Sequence, residues 1–435
     1  MIVMKFGGTS LKDALRIKSV AGIIRRFLPD KPIIVASAHH GVTEQLIGLA
    51  HGTAKFSDIE KIHLKIAADL GVSHKLIEEL LDELRQYTVT LLKKPGLKQM
   101  DRLMSFGERL SIRTITAYLN KHSIRAQAFD AFDIGMVTDS HFSQAQPLPE
   151  SPALISKRLK PVIRKGIVPV VTGFIGKDKE GDITTLGRNG SDYTATIIAA
   201  AVNAEEVQLW SDSDGIMTAD PRVVPGALPI KNISFNEASE LAYYSRRFHP
   251  STLLPAIRRN IPVRILNTYK PEAEGTAITS KAQRSLTPTP RSIVYKKDIY
   301  LITITSPRML MQYGFLQKIF GVFAQHKIVV DMIATSEISV SVTVDRRHHV
   351  TEALKELSKF ARVKLEDKQA LICVIGEDIR RLHGISGNIF GALRDANINI
   401  KMISQGATQT NIAFLIDNST VKKVVRVLHE ILFMP

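Results

Sequence analysis

The chain opens on a short apolar run, Ile2-Val3-Met4, that stops at Lys5 and is followed by two glycines. From Leu11 to Leu28 the apolar residues Leu11, Ala14, Leu15, Ile23, Ile24, Phe27 and Leu28 predict a helix with one buried face. Pro32 to Ser37 (PIIVAS) reads as a buried strand and Asp101 to Leu119 as a helix. Val168 to Phe174 reads as a strand broken by glycine, Tyr193 to Val202 as an apolar helix, and Val207 to Trp210 as a further strand. This alternation predicts an α/β domain in which a mainly parallel central sheet is sandwiched by helices.

Around residue 270 the pattern changes. Residues 271–298 are rich in Pro, Thr, Ser, Lys and Arg and read as a linker. Beyond them lies a repeat. Gly314, Ile319-Phe320-Gly321, Ile328 and Met332-Ile333 recur 70 residues later as Gly384, Ile389-Phe390-Gly391, Ile398 and Met402-Ile403. Each copy reads strand, glycine turn, helix, strand, strand, which predicts two α+β modules over 299–366 and 367–435. The α/β domain then covers residues 1–270.

Composition narrows the class. The 435 residues are 44% apolar and 23% charged, as in ordinary globular proteins. Cys373 is the only cysteine, so an intramolecular disulfide and a Cys-rich metal site are excluded. No signal-peptide pattern and no membrane-length apolar run is visible, and a cytoplasmic protein with no membrane partner is expected. The net charge of +16 is spread along the chain, without a basic tract or interleaved aromatics. It fits a site for phosphates better than one for nucleic acid.

Candidate chemistry begins at Lys5-Phe6-Gly7-Gly8-Thr9-Ser10, a strand–Gly-Gly–helix junction. Bare backbone amides and a helix N-terminus suit a phosphate. The lysine precedes the glycines, so this is neither the usual phosphate loop nor a dinucleotide fingerprint; taken alone it also suits a plain tight turn. A second loop, Thr184 to Asp192 (TTLGRNGSD), feeds the apolar helix from Tyr193. A third, Trp210-Ser211-Asp212-Ser213-Asp214-Gly215, leads to Thr218-Ala219-Asp220-Pro221-Arg222. It fails as a calcium loop, because Trp210 and Pro221 stand where acids are required.

In order along the chain, KFGGTS, the FGERLS segment around Glu108, TGFIG, TLGRNGSDYTA, WSDSDGIMTADPRVV and the HPSTLLPA segment from His249 resemble the aspartate kinases of the amino-acid kinase family. The resemblance implies ATP-dependent phosphorylation of the L-aspartate β-carboxylate, with Mg²⁺ carried by ATP and no other metal. A carboxylate with a pKa of about 4 needs no general base, so catalysis becomes charge neutralisation and in-line positioning. By family likeness Lys5 and Asp192 are catalytic, while Ser37, Thr43, Glu108, Arg188 and Ser191 hold aspartate. Gly7, Gly8, Ser211, Asp212, Arg222 and Arg246 hold ATP. Asn189, Met217, Arg246 and the pair His39-His40 depart from the family pattern. Asn189 tolerates a left-handed backbone, and the two histidines read as partly exposed loop residues.

The repeat resembles tandem ferredoxin-like ACT modules, most of all those of lysine-sensitive aspartate kinases. Met309, Phe315, Leu316, Val330, Asp331, Ser336 and Glu337 then line an allosteric L-lysine site, and the modules imply a homodimer or dimer of dimers. A fused homoserine dehydrogenase is not expected. The rival readings are a glutamate or N-acetylglutamate kinase of the same fold and a catalytically silent lysine sensor.

Overall fold

The computed structural model describes residues 1–91, 95–244, 250–280, 290–309, 313–377, 379–405 and 410–434, which fall into two units. The first holds residues 1–216, 229–235 and 250–280. The second holds 217–228, 236–244 and the described residues from 290 onward.

The first unit runs β1 (Ile2–Phe6), α1 (Ala14–Arg26), β2 (Ile33–Ala36), α2 (Val42–Ala50), α3 (Phe56–Leu70), α4 (Lys75–Thr90), α5 (Leu97–Lys121), β3 (Ala126–Phe129), α6 (Ser151–Arg164), β4 (Val168–Thr172), β5 (Ile175–Lys177), β6 (Ile183–Thr185), α7 (Gly190–Val202) and β7 (Glu206–Ser211). Its eight-stranded sheet follows the order Asn232–Ser234, Thr276–Thr279, Val263–Asn267, β7, β1, β2, β4, β3. All neighbours are parallel except Val263–Asn267 with Thr276–Thr279. The predicted α/β layer is therefore present. The helix expected from Leu11 begins later, because the Asp13 side chain accepts from Arg16 N–H (2.9 Å) and caps α1.

Ile2, Met4 and Phe6 alternate along β1 and join one core with Ile17, Ile24, Ile34, Ile112, Ile115 and Trp210. Side chains alternate across a strand, so Lys5 projects from the opposite face. β1 lies between β2 and β7, where the order of strands reverses, and parallel α/β sheets offer binding crevices at the carboxyl ends beside such points.

The second unit is built on a six-stranded antiparallel sheet. Its order is Val330–Thr335, Ser339–Asp345, Ser292–Thr305, Arg362–Ile375, Asn411–Asp417, Met402–Ser404. The two central strands pair from Ser292↔Ile375 to Thr305↔Arg362, so the two copies of the repeat share one sheet. Gly314 and Gly384 both cap a helix N-terminus with left-handed backbone, φ 80° and 78°. That requirement explains why the glycine recurs at the 70-residue offset.

The stretch expected as a linker is structured at both ends. Thr276–Thr279 joins the first sheet with Thr276 and Ile278 buried, and Ser292 opens a central strand of the second; residues 281–289 lie outside the described ones. Residues 217–228 also leave the sequence-defined first domain. Ala219, Val223 and Val224 sit in the core of the second repeat, and Ile293 N–H donates to the Thr218 carbonyl (2.8 Å). Among the described residues no helix is long and apolar enough to cross a membrane.

Candidate active site

Lys5 ends on the face of β1 that α7 covers. Its Nζ lies 2.6 Å from Asp192 Oδ1, with both side chains largely buried, at 14% and 8% exposure. Asp192 belongs to the first turn of α7, where an acid also complements the helix dipole. Asn189 caps this helix with φ 58°, so the left-handed conformation anticipated for it is present. The preceding turn leaves Arg188 exposed.

The loop after β4 brings in a close contact. A Cβ on Gly173 would lie 2.5 Å from Ser191 Cβ and Oγ, so only glycine lets this loop pass. Ser191 Oγ in turn accepts a hydrogen bond from Ser37 Oγ at 3.0 Å. Ser37 follows β2, and Thr43 sits half-buried in the first turn of α2.

Glu108 comes from the long helix α5 and is 3% exposed. Ala38 N–H donates to its Oε1 (3.3 Å), while Oε2 is buried with no partner among the described residues. Burial pushes its carboxyl up from 4.5 to about 8, opposed only in part by that amide. A buried carboxyl with one oxygen unmet is prepared for a cation.

The other expected residues are placed as follows. Gly7 N–H continues the sheet by donating to the Trp210 carbonyl (3.3 Å), so it is already spoken for as a phosphate donor. Gly8 opens a short 3₁₀ turn whose first amides have no helical partner of their own. Ser211 ends β7 half-buried, its carbonyl held by Thr268 N–H (2.8 Å) and Oγ1 (3.0 Å); Asp212 is exposed. Arg222 belongs to the second unit, where Asp220 takes its guanidinium with Nε at 3.0 Å and Nη2 at 2.8 Å. Met217 belongs there too. Arg246 and His249 lie outside the described residues.

His39 corrects an expectation. It is not partly exposed but 1% exposed, because its loop turns inward against α3; His40 is the exposed one of the pair. Sequence reading also missed Asp101. This buried acid accepts from Ser143 N–H (2.8 Å), Thr185 N–H (2.7 Å) and Thr185 Oγ1 (2.8 Å), anchoring the strand that precedes the Arg188 turn. Its signal was an acid two helical turns before Glu108 on the same face of α5.

In the second unit, Asp331 is paired with Lys296 Nζ (3.1 Å), which also reaches Asp345 (3.3 Å) and the Tyr243 hydroxyl (3.1 Å). Phe315 is packed in the module core edge-on to Phe360, while Leu316, Ser336 and Glu337 are exposed. Met309 and Val330 are half-buried.

Comparisons with known proteins cover the whole chain. The amino acid kinase family matches residues 1–267, and the ACT domain matches 302–359 and 372–432. The chain is 39% identical to the chloroplastic aspartokinase 3 of Arabidopsis thaliana, across 99% of this chain and 81% of that protein. It is 36% identical to the lysine-sensitive aspartokinase 3 of Escherichia coli strain K12, across 100% and 99%. The crystal structure of E. coli aspartokinase III in complex with aspartate and ADP superposes with a TM-score of 0.85 at 34% identity, covering 100% of both chains.

Two outcomes follow from this geometry. Gly173→Ala forces its methyl into Ser191, and a lowered melting temperature with loss of activity is expected in thermal melts and turnover assays. For Glu108 the carboxyl titrates higher in the fold than in the unfolded chain, so ionising it costs stability. That cost sets in as pH rises above 4.5 and is complete above about 8. Unliganded Glu108→Gln should melt close to the native chain at acidic pH and above it at alkaline pH; equal melts throughout would refute the buried-charge assignment.

Proposed function

This chain belongs to the amino acid kinase family as an aspartokinase, and from that premise we propose how its residues carry phosphate from ATP to the β-carboxylate of L-aspartate. The carboxylate oxygen attacks the γ-phosphorus, an O–P bond forms, and the bond to the ADP leaving oxygen breaks. No proton moves, so the protein has to bring two anions together and hold them in line. Lys5, fixed against Asp192 at the end of β1, supports a role in neutralising the transferring phosphoryl group. The Asp192 carboxylate is a suitable oxygen donor for the Mg²⁺ that arrives with ATP. Glu108 takes the α-ammonium of aspartate beside Ser37, Thr43 and Ser191, and the exposed Arg188 clamps the α-carboxylate through its planar fork. Gly8, Ser211 and Asp212 serve the nucleotide. The run of contacts from Lys5–Asp192 through Ser191–Ser37 to Ala38–Glu108 carries this reading.

The test is hydroxylamine trapping with ATP and Mg²⁺. Hydroxamate from L-aspartate, and none from L-glutamate or N-acetylglutamate, is expected; product from either competitor acid would move the substrate assignment. Lys5→Ala should lower turnover by roughly 10²–10³-fold. Only ionised Glu108 pairs with an ammonium, so kcat/KM for aspartate should rise with pH up to about 8, and Glu108→Gln should flatten that rise.

The second unit is read as an L-lysine sensor, because its ACT modules match those of a lysine-sensitive relative over the full chain. A ligand ammonium reaches Asp331 in competition with Lys296. Exposed Ile333, Ile338 and Ile403 on the outer strands and an adjoining turn support pairing with a second copy. Isothermal titration with L-lysine should give heat with the native chain and none with Asp331→Asn. Heat undiminished in that variant would place the ligand elsewhere.

A further inference from the structure

Two loops lie side by side over the carboxyl ends of β1 and β2. One, residues 7–12, carries Gly7 and Gly8; the other, residues 37–41, carries Ser37 and leads to Thr43. On the kinase reading above, their separation sets the distance between phosphoryl donor and carboxylate acceptor. Ser37 N–H donates to the Phe6 carbonyl (3.1 Å), which fixes the loops where they leave the sheet. Further out, a Cβ on Gly8 would stand 3.1 Å from the Ala38 carbonyl oxygen, so the backbones nearly touch.

The third link is a side chain. His39 Nδ1 lies 2.7 Å from the carbonyl oxygen of Leu11, which ends the 3₁₀ turn of the Gly7–Gly8 loop. Among the described residues it is the one side-chain hydrogen bond joining these loops. A carbonyl only accepts, so Nδ1 carries the proton and Nε2 is bare. The ring is fully buried against the His63 ring of α3, with centroids 5.1 Å apart. Burial holds the imidazole near a pKa of about 4, so it stays neutral across the working range. His39 is thus shielded from solvent, and its side-chain hydrogen bond ties the phosphate side of the site to the acceptor side.

We propose that His39 is a positioning residue for phosphoryl transfer: through its Nδ1–H···O=C bond to Leu11 it fixes the Gly7–Gly8 loop against the Ser37–Thr43 loop, and so sets the in-line distance between the γ-phosphoryl group and the acceptor carboxylate. Among the described residues the imidazole makes no hydrogen bond with Lys5, Asp192 or Glu108. Its loss therefore leaves each substrate bound but misplaced relative to the other. A misplacement of about 1 Å costs on the order of 10²-fold in rate.

The experiment compares His39→Leu, His39→Asn and His39→Gln in steady-state assays of aspartate phosphorylation. Asparagine carries an amide N–H near the Nδ1 position, whereas glutamine carries it near Nε2. In His39→Leu, kcat should fall roughly ten- to a hundredfold with both KM values within about twofold of native. His39→Asn should recover most of the loss and His39→Gln little of it. A merely structural histidine would lower the melting temperature in all three and leave kcat alone, which would overturn the inference. Equal recovery by Asn and Gln, or a loss expressed in KM, would overturn it too. If His39→Leu does not fold, the Asn and Gln pair decides the matter. Absence of turnover in the native chain would sink the kinase reading itself, whereas native turnover with an unaffected His39→Leu sinks only the role given to His39.

Discussion

The ion pair between Lys5 and Asp192 is the constraint around which the first unit is arranged. It joins the last turn-facing residue of β1 to the first turn of α7, two segments far apart in sequence. Several local features make sense only as ways of delivering α7 to that place. Asn189 adopts the left-handed conformation so that the chain can enter the helix abruptly. Gly173 yields the space that Ser191 occupies. Asp101 gathers three donors from the segments before the Arg188 turn, and its buried charge is met by all three.

Glu108 shows the opposite treatment of a buried acid. It receives one weak amide hydrogen bond, and its second oxygen is unmet among the described residues. Asp101 is satisfied and structural, whereas Glu108, two turns along the same helix, is left in need of a cation. The unliganded fold bears that cost, which on the proposed reading the ammonium of aspartate removes. Binding sites commonly store strain of this electrostatic kind where a ligand will relieve it.

The second unit repeats one pattern twice and fuses the copies through their longest strands. It also recruits residues 217–228, whose apolar side chains complete the core of the second repeat. Lys296 draws Asp331, Asp345 and the Tyr243 hydroxyl onto one ammonium, and the tyrosine comes from a helix that precedes the repeat in sequence. A boundary drawn at residue 270 by composition cannot register such exchange, since composition reports where the chain is polar and not which core its apolar residues enter.

Periodicity and spacing in the sequence determined the alternation of strands and helices, the 70-residue repeat with its glycine, and the identity of the polar residues gathered at the sheet's carboxyl edge. These are legible because burial on one face imposes a period of 2 or 3.6, and because a left-handed turn admits few residues. Tertiary structure alone decided that Gly7 N–H is spent on Trp210, that Arg222 is held by Asp220, and that Lys296 already sits on Asp331. It also decided that His39 is interior. Hydrogen-bond partners and burial at those positions are supplied by segments distant in the chain. No local pattern encodes them, and only the folded arrangement of the loops brings donor and acceptor together.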